Sequence, residues 1–197
     1  MNGFEERKSK KMRKIRESAW NMFDRYGFQK VSVKEIAKEA KVSQVTIYNY
    51  YGTKTKLIID VLMHVFDQQL KEYEDVLRQQ ISFPEKVHAI MIGETKIIKM
   101  ITKDLPEYNE YEEIKTFLTE YQHKKLAPFL KKTIQKGNEE GYINPDLSEE
   151  AIMFYFTMYQ SELIRISEID KNNILGKLAE EIIQMFFYGL SKSSNNN

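Results

Sequence analysis

A chain of 197 residues, 42% hydrophobic and 12% aromatic, is long enough to bury a sizeable core, either as one domain or as a small head with a larger body. The absence of cysteine excludes disulfides and thiolate metal sites, and no stretch approaches 18 apolar residues without a charge, which excludes a membrane-spanning helix. The formal net charge of +1 conceals an asymmetry: residues 1–56 hold 14 Lys/Arg against 6 Asp/Glu, and the remainder holds 16 against 23, so a head of +8 precedes a body of −7.

Only four prolines and eight glycines punctuate the chain, so helices are expected throughout, about nine of them. The first is predicted from about Glu6 to Tyr26, stopping at Gly27, a natural left-handed position just past a helix. Ile15, Ala19, Met22, Phe23 and Tyr26 recur along it at helical spacing and are expected to hold the next two helices. Ser32 and Glu35 form an S-x-x-E capping box, so a second helix should start at Val33, with Ile36, Ala37 and Ala40 as its apolar edge. Lys41-Val42 makes the turn. Ser43 then caps a third helix from Gln44 to about Tyr50, and Gly52-Thr53 ends it and caps the next.

Two short helices with so little chain between them bury little core of their own. The unit that fits is a helix-turn-helix presenting its second helix to the DNA major groove. On that helix Val45 and Ile47 are expected to face inward, leaving Gln44, Thr46, Tyr48 and Asn49 near the open face. Gln pairs bidentately with adenine, Thr offers a methyl to thymine and a hydroxyl to phosphate, and Tyr hydroxyls bond phosphate oxygens. Tyr50 and Tyr51 either contact DNA or pack between helices. Lys54 adds charge at a helix N-terminus, where backbone N–H groups already favour an anion. The local basic excess of the head supports the same reading, because counterion release needs clustered cations and not a basic average.

A fourth helix is expected from Lys54 to about Gln80, roughly 40 Å long, lined by Leu57, Val61, Val65, Leu70, Tyr73 and Leu77 and linking head to body. Ser82-Phe83-Pro84 restarts the chain. A helix from Glu85 to about Thr102 follows, then a surface loop or short helix over Lys103 to Glu113. The stretch from about Ile114 to Glu140 should be helical, with a kink or break near Pro128. Ser148 begins the eighth helix. From Ala151 to Ile166 and again from Ile174 to Leu190 the apolar arc is too wide for one buried stripe, so each needs partners on two sides. A twofold-related copy supplies the second side, giving a four-helix interface that includes Tyr155, Leu163, Leu175, Leu178, Ile182 and Phe186. The tail Ser191 to Asn197 is polar and expected to be disordered.

The span AWNMFDRYGFQKVSVKEIAKEAKVSQVTIYNYYGTKTKLI resembles the N-terminal domain of TetR-family transcriptional repressors. The shared positions are Ala19, Phe23, Gly27, Phe28, Val33, Ile36, Ala37, Ala40, Val42, Ile47, Tyr48, Tyr51, Lys54 and Leu57, over roughly residues 10–60. Tyr51 departs from a frequent Phe. A weaker resemblance covers Glu139 to Ser148. The likeness implies that Gln44, Thr46, Tyr48, Asn49, Tyr50 and Lys54 contact operator DNA and that the protein represses transcription. It also implies an all-α chain: a three-helix DNA-binding domain over 1–53, a ligand-sensing and dimerisation body over 54–190, and a tail over 191–197.

A regulator needs an input. Met91, Glu94, Ile98, Phe117, Tyr121, Tyr155, Met158, Tyr159 and Glu162 are expected to line an adaptable cavity for a small apolar or amphipathic effector. The alternative is an adaptor body governed by a protein partner. His64, His88 and His123 have no metal-ligand spacing, and no G-x-S-x-G or phosphate-cradling glycine loop is present, so no metal, cofactor or enzymatic activity is expected. The charged N-terminus lacks a signal-peptide core, so the expected partners are a palindromic double-stranded operator, a second copy of the chain and the effector, in the cytoplasm and with no membrane.

Overall fold

A computed structural model describes residues 3–102, 112–169 and 185. Every regular element among the described residues is helical, and the chain divides into two compact units: residues 1–68 with 107–117, and residues 69–106 with 118–197.

The first unit contains α1 (Gly3–Tyr26), α2 (Val33–Glu39), α3 (Gln44–Tyr51) and the opening part of α4 (Lys54–Arg78). Ile15, Ala19 and Phe23 of α1 recur every four residues, so they fall on one face, and all are fully buried. They share the core with Ile36, Ala37 and Ala40, with Ile47, and with Leu57, Ile58, Val61 and Leu62 of α4. Gly27 ends α1 at φ 84°, and the reversal brings the Phe28 ring back to 4.9 Å from Phe23. Tyr26 therefore does not join the core as its spacing suggested; it is 57% exposed, and Phe28 takes the space.

Exposed serines and threonines start helices in this unit and the next. Ser32 and Glu35 exchange hydrogen bonds as a complete capping box, Ser32 N–H donating to Glu35 Oε2 at 2.8 Å and Glu35 N–H to Ser32 Oγ at 3.2 Å. Thr53 Oγ1 accepts from Lys56 N–H at the head of α4, and Ser82 with Glu85 repeats the capping box ahead of α5 (Phe83–Thr102). That second box explains why α5 begins two residues before Glu85: Pro84 falls in the first turn, where no N–H is needed.

The second unit takes the remainder of α4 with α5, α7 (Ala127–Glu139) and α8 (Glu149–Ile169); α6 (Glu112–Tyr121) leads to α7 through a π turn over Gln122–Leu126. Pro128 lacks an N–H and cannot bond the carbonyl four residues back. The helix answers by widening and not by breaking: Ala127 N–H reaches the carbonyl of Gln122, five residues earlier. One buried cluster joins Phe83, Val87, Ile134, Ile143 and Ile152; another joins Tyr73, Leu77, Ile90 and Phe129. Gly137 permits the first cluster, since a Cβ there would stand 2.5 Å from Phe83 Cζ and 2.7 Å from Ile143 Cδ1. Lys86 is buried among these groups, and its ammonium donates to Glu140 Oε1 at 2.8 Å.

No described helix is long and apolar enough to cross a membrane. The loop expected over 103–113 falls mostly outside the described residues, as do the helix over 174–190 and the tail from 191.

Candidate nucleic-acid interface

The turn between α2 and α3 is built from backbone bonds that need a left-handed residue. Val42 N–H reaches the Ala37 carbonyl at 2.9 Å and Lys41 N–H the Lys38 carbonyl at 3.2 Å, with Lys41 itself at φ 54°. Ser43 then caps α3, accepting from Thr46 N–H at 3.0 Å. Two side chains anchor α3. Ile47 is 1% exposed, and Tyr51, one turn later, is 7% exposed. The Tyr51 hydroxyl lies 3.2 Å from Asp60 Oδ2 and 3.4 Å from the Met12 carbonyl, so it joins α1, α3 and α4. Burial first, and then the neighbouring Asp60 carboxylate, push its ionisation well above the usual phenol range. Tyr51 is thus a packing residue. Arg16 completes the joint with a two-pronged bond to Asp60 at 2.7 and 3.0 Å.

With Ile47 and Tyr51 fixing the inner face, positions 44, 45, 48 and 49 are exposed. Val45 corrects the sequence reading: it is 66% exposed, because it precedes Ile47 by two residues and so lies about 200° around the helix from it. Tyr48 is 48% exposed. Thr46 is half-buried, and its hydroxyl is hydrogen-bonded to Ser43 Oγ at 2.8 Å, so the cap holds it. Tyr50 is also half-buried. Lys54 is partly withdrawn: its ammonium donates to the Gln29 carbonyl at 3.3 Å, and burial lowers its pKa, with Glu35 opposing the shift. Of the 14 cations in residues 1–56, all but Arg16 and Lys54 are exposed. The first unit therefore offers a short, twice-anchored rod with a polar and apolar outer face, set in a field of free positive charge.

The residues expected to line an effector cavity are divided. Phe117 belongs to the first unit, where its ring stacks on Phe66 at 6.0 Å. Met91 and Tyr155 pack against the cluster around Phe83 in the second. Met158 stands 49% exposed, one turn from Phe154 at 73%, so those two form an outward apolar stripe and not a cavity wall. Tyr121 ends α6, and Glu162 is exposed on α8. The side chains of Glu94, Ile98, Tyr159 and Leu163 lie outside the described ones, as do Leu175, Leu178, Ile182 and Phe186. A hollow that sequence reasoning missed, of about 610 Å³ and open to solvent, runs along α4, α5 and α7 and is lined by Arg78, Lys86, Lys132, Lys136, Glu74 and Glu139 among others. The residues that line it are mostly charged or polar. The lysine that breaks the Phe83–Val87–Ile90 apolar spacing was the available signal.

A model of the family described as bacterial regulatory proteins, tetR family, matches residues 15–61. The HTH-type transcriptional regulator YhgD of Bacillus subtilis (strain 168) is 20% identical over 178 residues, 86% of this chain and 93% of that one. Among solved structures, the fatty acid degradation regulator FadR from Bacillus halodurans aligns with a TM-score of 0.70 at 19% identity, covering 91% of this chain and 96% of that one. FadR from Bacillus subtilis in complex with stearoyl-CoA gives 0.69 at 18%, covering 90% and 98%.

Proposed function

Since this chain belongs to the tetR family of helix-turn-helix transcriptional regulators, we propose that it is a cytoplasmic homodimeric repressor, not an enzyme, released from a palindromic operator by an amphipathic small molecule. The carrying observation is the outward face of α3, fixed from behind by Ile47 and Tyr51 and surrounded by exposed cations. Gln44 and Asn49 read base edges, Tyr48 and Tyr50 bond phosphates, and Thr46 presents its methyl while its hydroxyl serves the cap. Val45 joins them: an isopropyl group left in water on a recognition helix gains by covering a thymine methyl. Lys54 holds the 27–32 loop through Gln29 and keeps two further N–H donors for a phosphate.

The domain division proposed is 1–53 for DNA, 54–190 for sensing and dimerisation, and 191–197 as a tail. The Phe154 and Met158 stripe supports a second copy, because large side chains left outside on one helix face gain by mutual burial. Tyr155, Leu163, Leu175, Leu178, Ile182 and Phe186 extend that contact. The effector site is proposed around Met91, Glu94, Ile98, Tyr121, Tyr155, Tyr159 and Glu162. Because α4 contributes to both units, an effector that favours one position of α4 changes the spacing of the two recognition helices. A preference of a few kcal/mol is enough to release DNA.

The bound thioester of the Bacillus subtilis FadR structure supplies the first probe. Titrating the full-length protein with stearoyl-CoA, stearate and coenzyme A separately is expected to raise the melting temperature with the thioester and to release a bound duplex. If no amphipathic molecule shifts the melting temperature while DNA binding persists, the input is a protein partner.

A further inference from the structure

We propose that the first turns of α1 are a second DNA-contacting element, a basic rod that lies along the phosphate backbone beside the bases read by α3. This rests on the DNA-binding reading above but concerns residues that the helix-turn-helix does not use.

Among the described side chains of α1, Ile15 is the first that is fully buried, although the helix begins twelve residues earlier, at Gly3. The preceding turns carry Arg7, Lys8, Lys10, Lys11, Arg13 and Lys14, every one exposed. Their order is not random. Arg7, Lys10, Lys11 and Lys14 follow the i, i+3, i+4, i+7 spacing that puts four side chains on one helix face. Glu5 and Glu6 fall off that face. Arg7 Nε bonds only the Gly3 carbonyl at 2.9 Å, a contact within the helix. Arg13 pairs with Glu17 at 3.8 Å and lies off the stripe, and no ion pair among the described residues involves Lys10, Lys11 or Lys14. Like charges at i, i+3 and i+4 destabilise a helix, so an unpartnered stripe is a cost to the free protein that an anion relieves.

The partner is identified by position as well as charge. The Tyr51 hydroxyl at the end of α3 reaches the Met12 carbonyl, so the recognition helix meets α1 at the level of the basic turns, within the span from Arg7 to Lys14. Arg16 faces α4 through Asp60, and the stripe lies on the opposite side of α1 from it. Arg7 to Lys14 extends about 10 Å along the helix, over which duplex DNA presents about six phosphates on its two strands. Four cations on a rigid rod match such a row, with no base to read.

The test is the variant Arg7→Gln, Lys10→Gln, Lys11→Gln, Lys14→Gln in the full chain, compared with the wild type by fluorescence anisotropy across a salt series. The probes are a duplex enriched by the wild-type protein from a random pool and a scrambled duplex of equal length. The slope of log affinity against log salt is expected to fall by up to about 3.6 per protomer, with tenfold or greater weakening on both probes and an unchanged ratio between them. A control that removes Lys71, Lys124, Lys131 and Lys132 from the second unit should leave the slope as it was. An unchanged slope in the α1 variant overturns the proposal, and so does loss of binding to anionic phosphatidylglycerol vesicles with DNA binding intact. If the wild type enriches no duplex at all, it is the DNA-binding reading that has failed.

Discussion

In the first unit the outside is dominated by charge, with Tyr26, Val45 and Tyr48 exposed among it; in the second, Phe154 and Met158 form an apolar stripe left in water while the lysine Lys86 is enclosed. The head also ties its helices with Arg16 and Asp60, side chains that are 22% and 25% exposed and keep access to solvent, joined by the buried Tyr51. The second unit instead pairs Lys86 with Glu140 where the lysine side chain is only 5% exposed. A surface meant for a polyanion can be finished within one copy, because water solvates it until DNA arrives. An apolar surface such as the Phe154 stripe is finished only when something covers it. The contrast fits the proposed division, with DNA recognition in one unit and association in the other.

The sharpest way to break that contrast is to hollow each core. Leu57→Ala, at a fully buried site where α4 meets α1, should cost about 3 kcal/mol in urea unfolding. If the two units melt separately, the loss should appear in the head transition alone. Next in size is the buried ion pair. Glu140→Ala leaves Lys86 unpaired and should cost about 2 kcal/mol, less than a fully enclosed pair because Glu140 is a quarter exposed. Lys86→Met should be close to neutral. Equal losses for the two would mean that the pair, and not the stranded charge, sets the energy.

The same site gives a pH dependence. The Lys86 hydrogen bond, foremost among its causes, holds the Glu140 carboxyl below its ordinary 4.5. Its contribution is therefore complete above that value and is lost as pH falls through the lowered one. Thermal unfolding should show the Glu140→Ala penalty at pH 7 shrinking below pH 4.

Phe154→Asp tests the other unit's surface. Sedimentation should show dimer dissociation strengthened at least tenfold, with the head's melting unchanged. The smallest expected effect is Val45→Ala. Wild type should bind a thymine-containing site a fewfold better than one with uracil in the contacted place, and the variant should lose that preference.

Local rules carried most of the head. Ser32, Glu35, Ser43 and Gly27 each act within five residues of themselves, so their roles were legible. Val45 was misread because apolar character alone was taken as inward, whereas the face fixed by Ile47 and Tyr51 leaves it outside. Tyr26 does fall on the face of Ile15, Ala19 and Phe23, but the helix ends beside it at Gly27 and Phe28 takes the space. The Lys86–Glu140 pair spans 54 positions, and nothing in either neighbourhood names the other. The effector site was the least legible, since Met and Tyr at helical spacing fill a core as readily as they line a cavity; Met91 packs on the Phe83 cluster, while Met158 faces water.

The most direct measurement is selection of bound fragments from a pool of random duplex DNA by the full-length protein. Two inverted half-sites with centres about 34 Å apart, one per recognition helix, are predicted. Recovery of no common sequence, or of a lone half-site held by a monomer, would contradict the assignment of α3 as a paired reader of DNA.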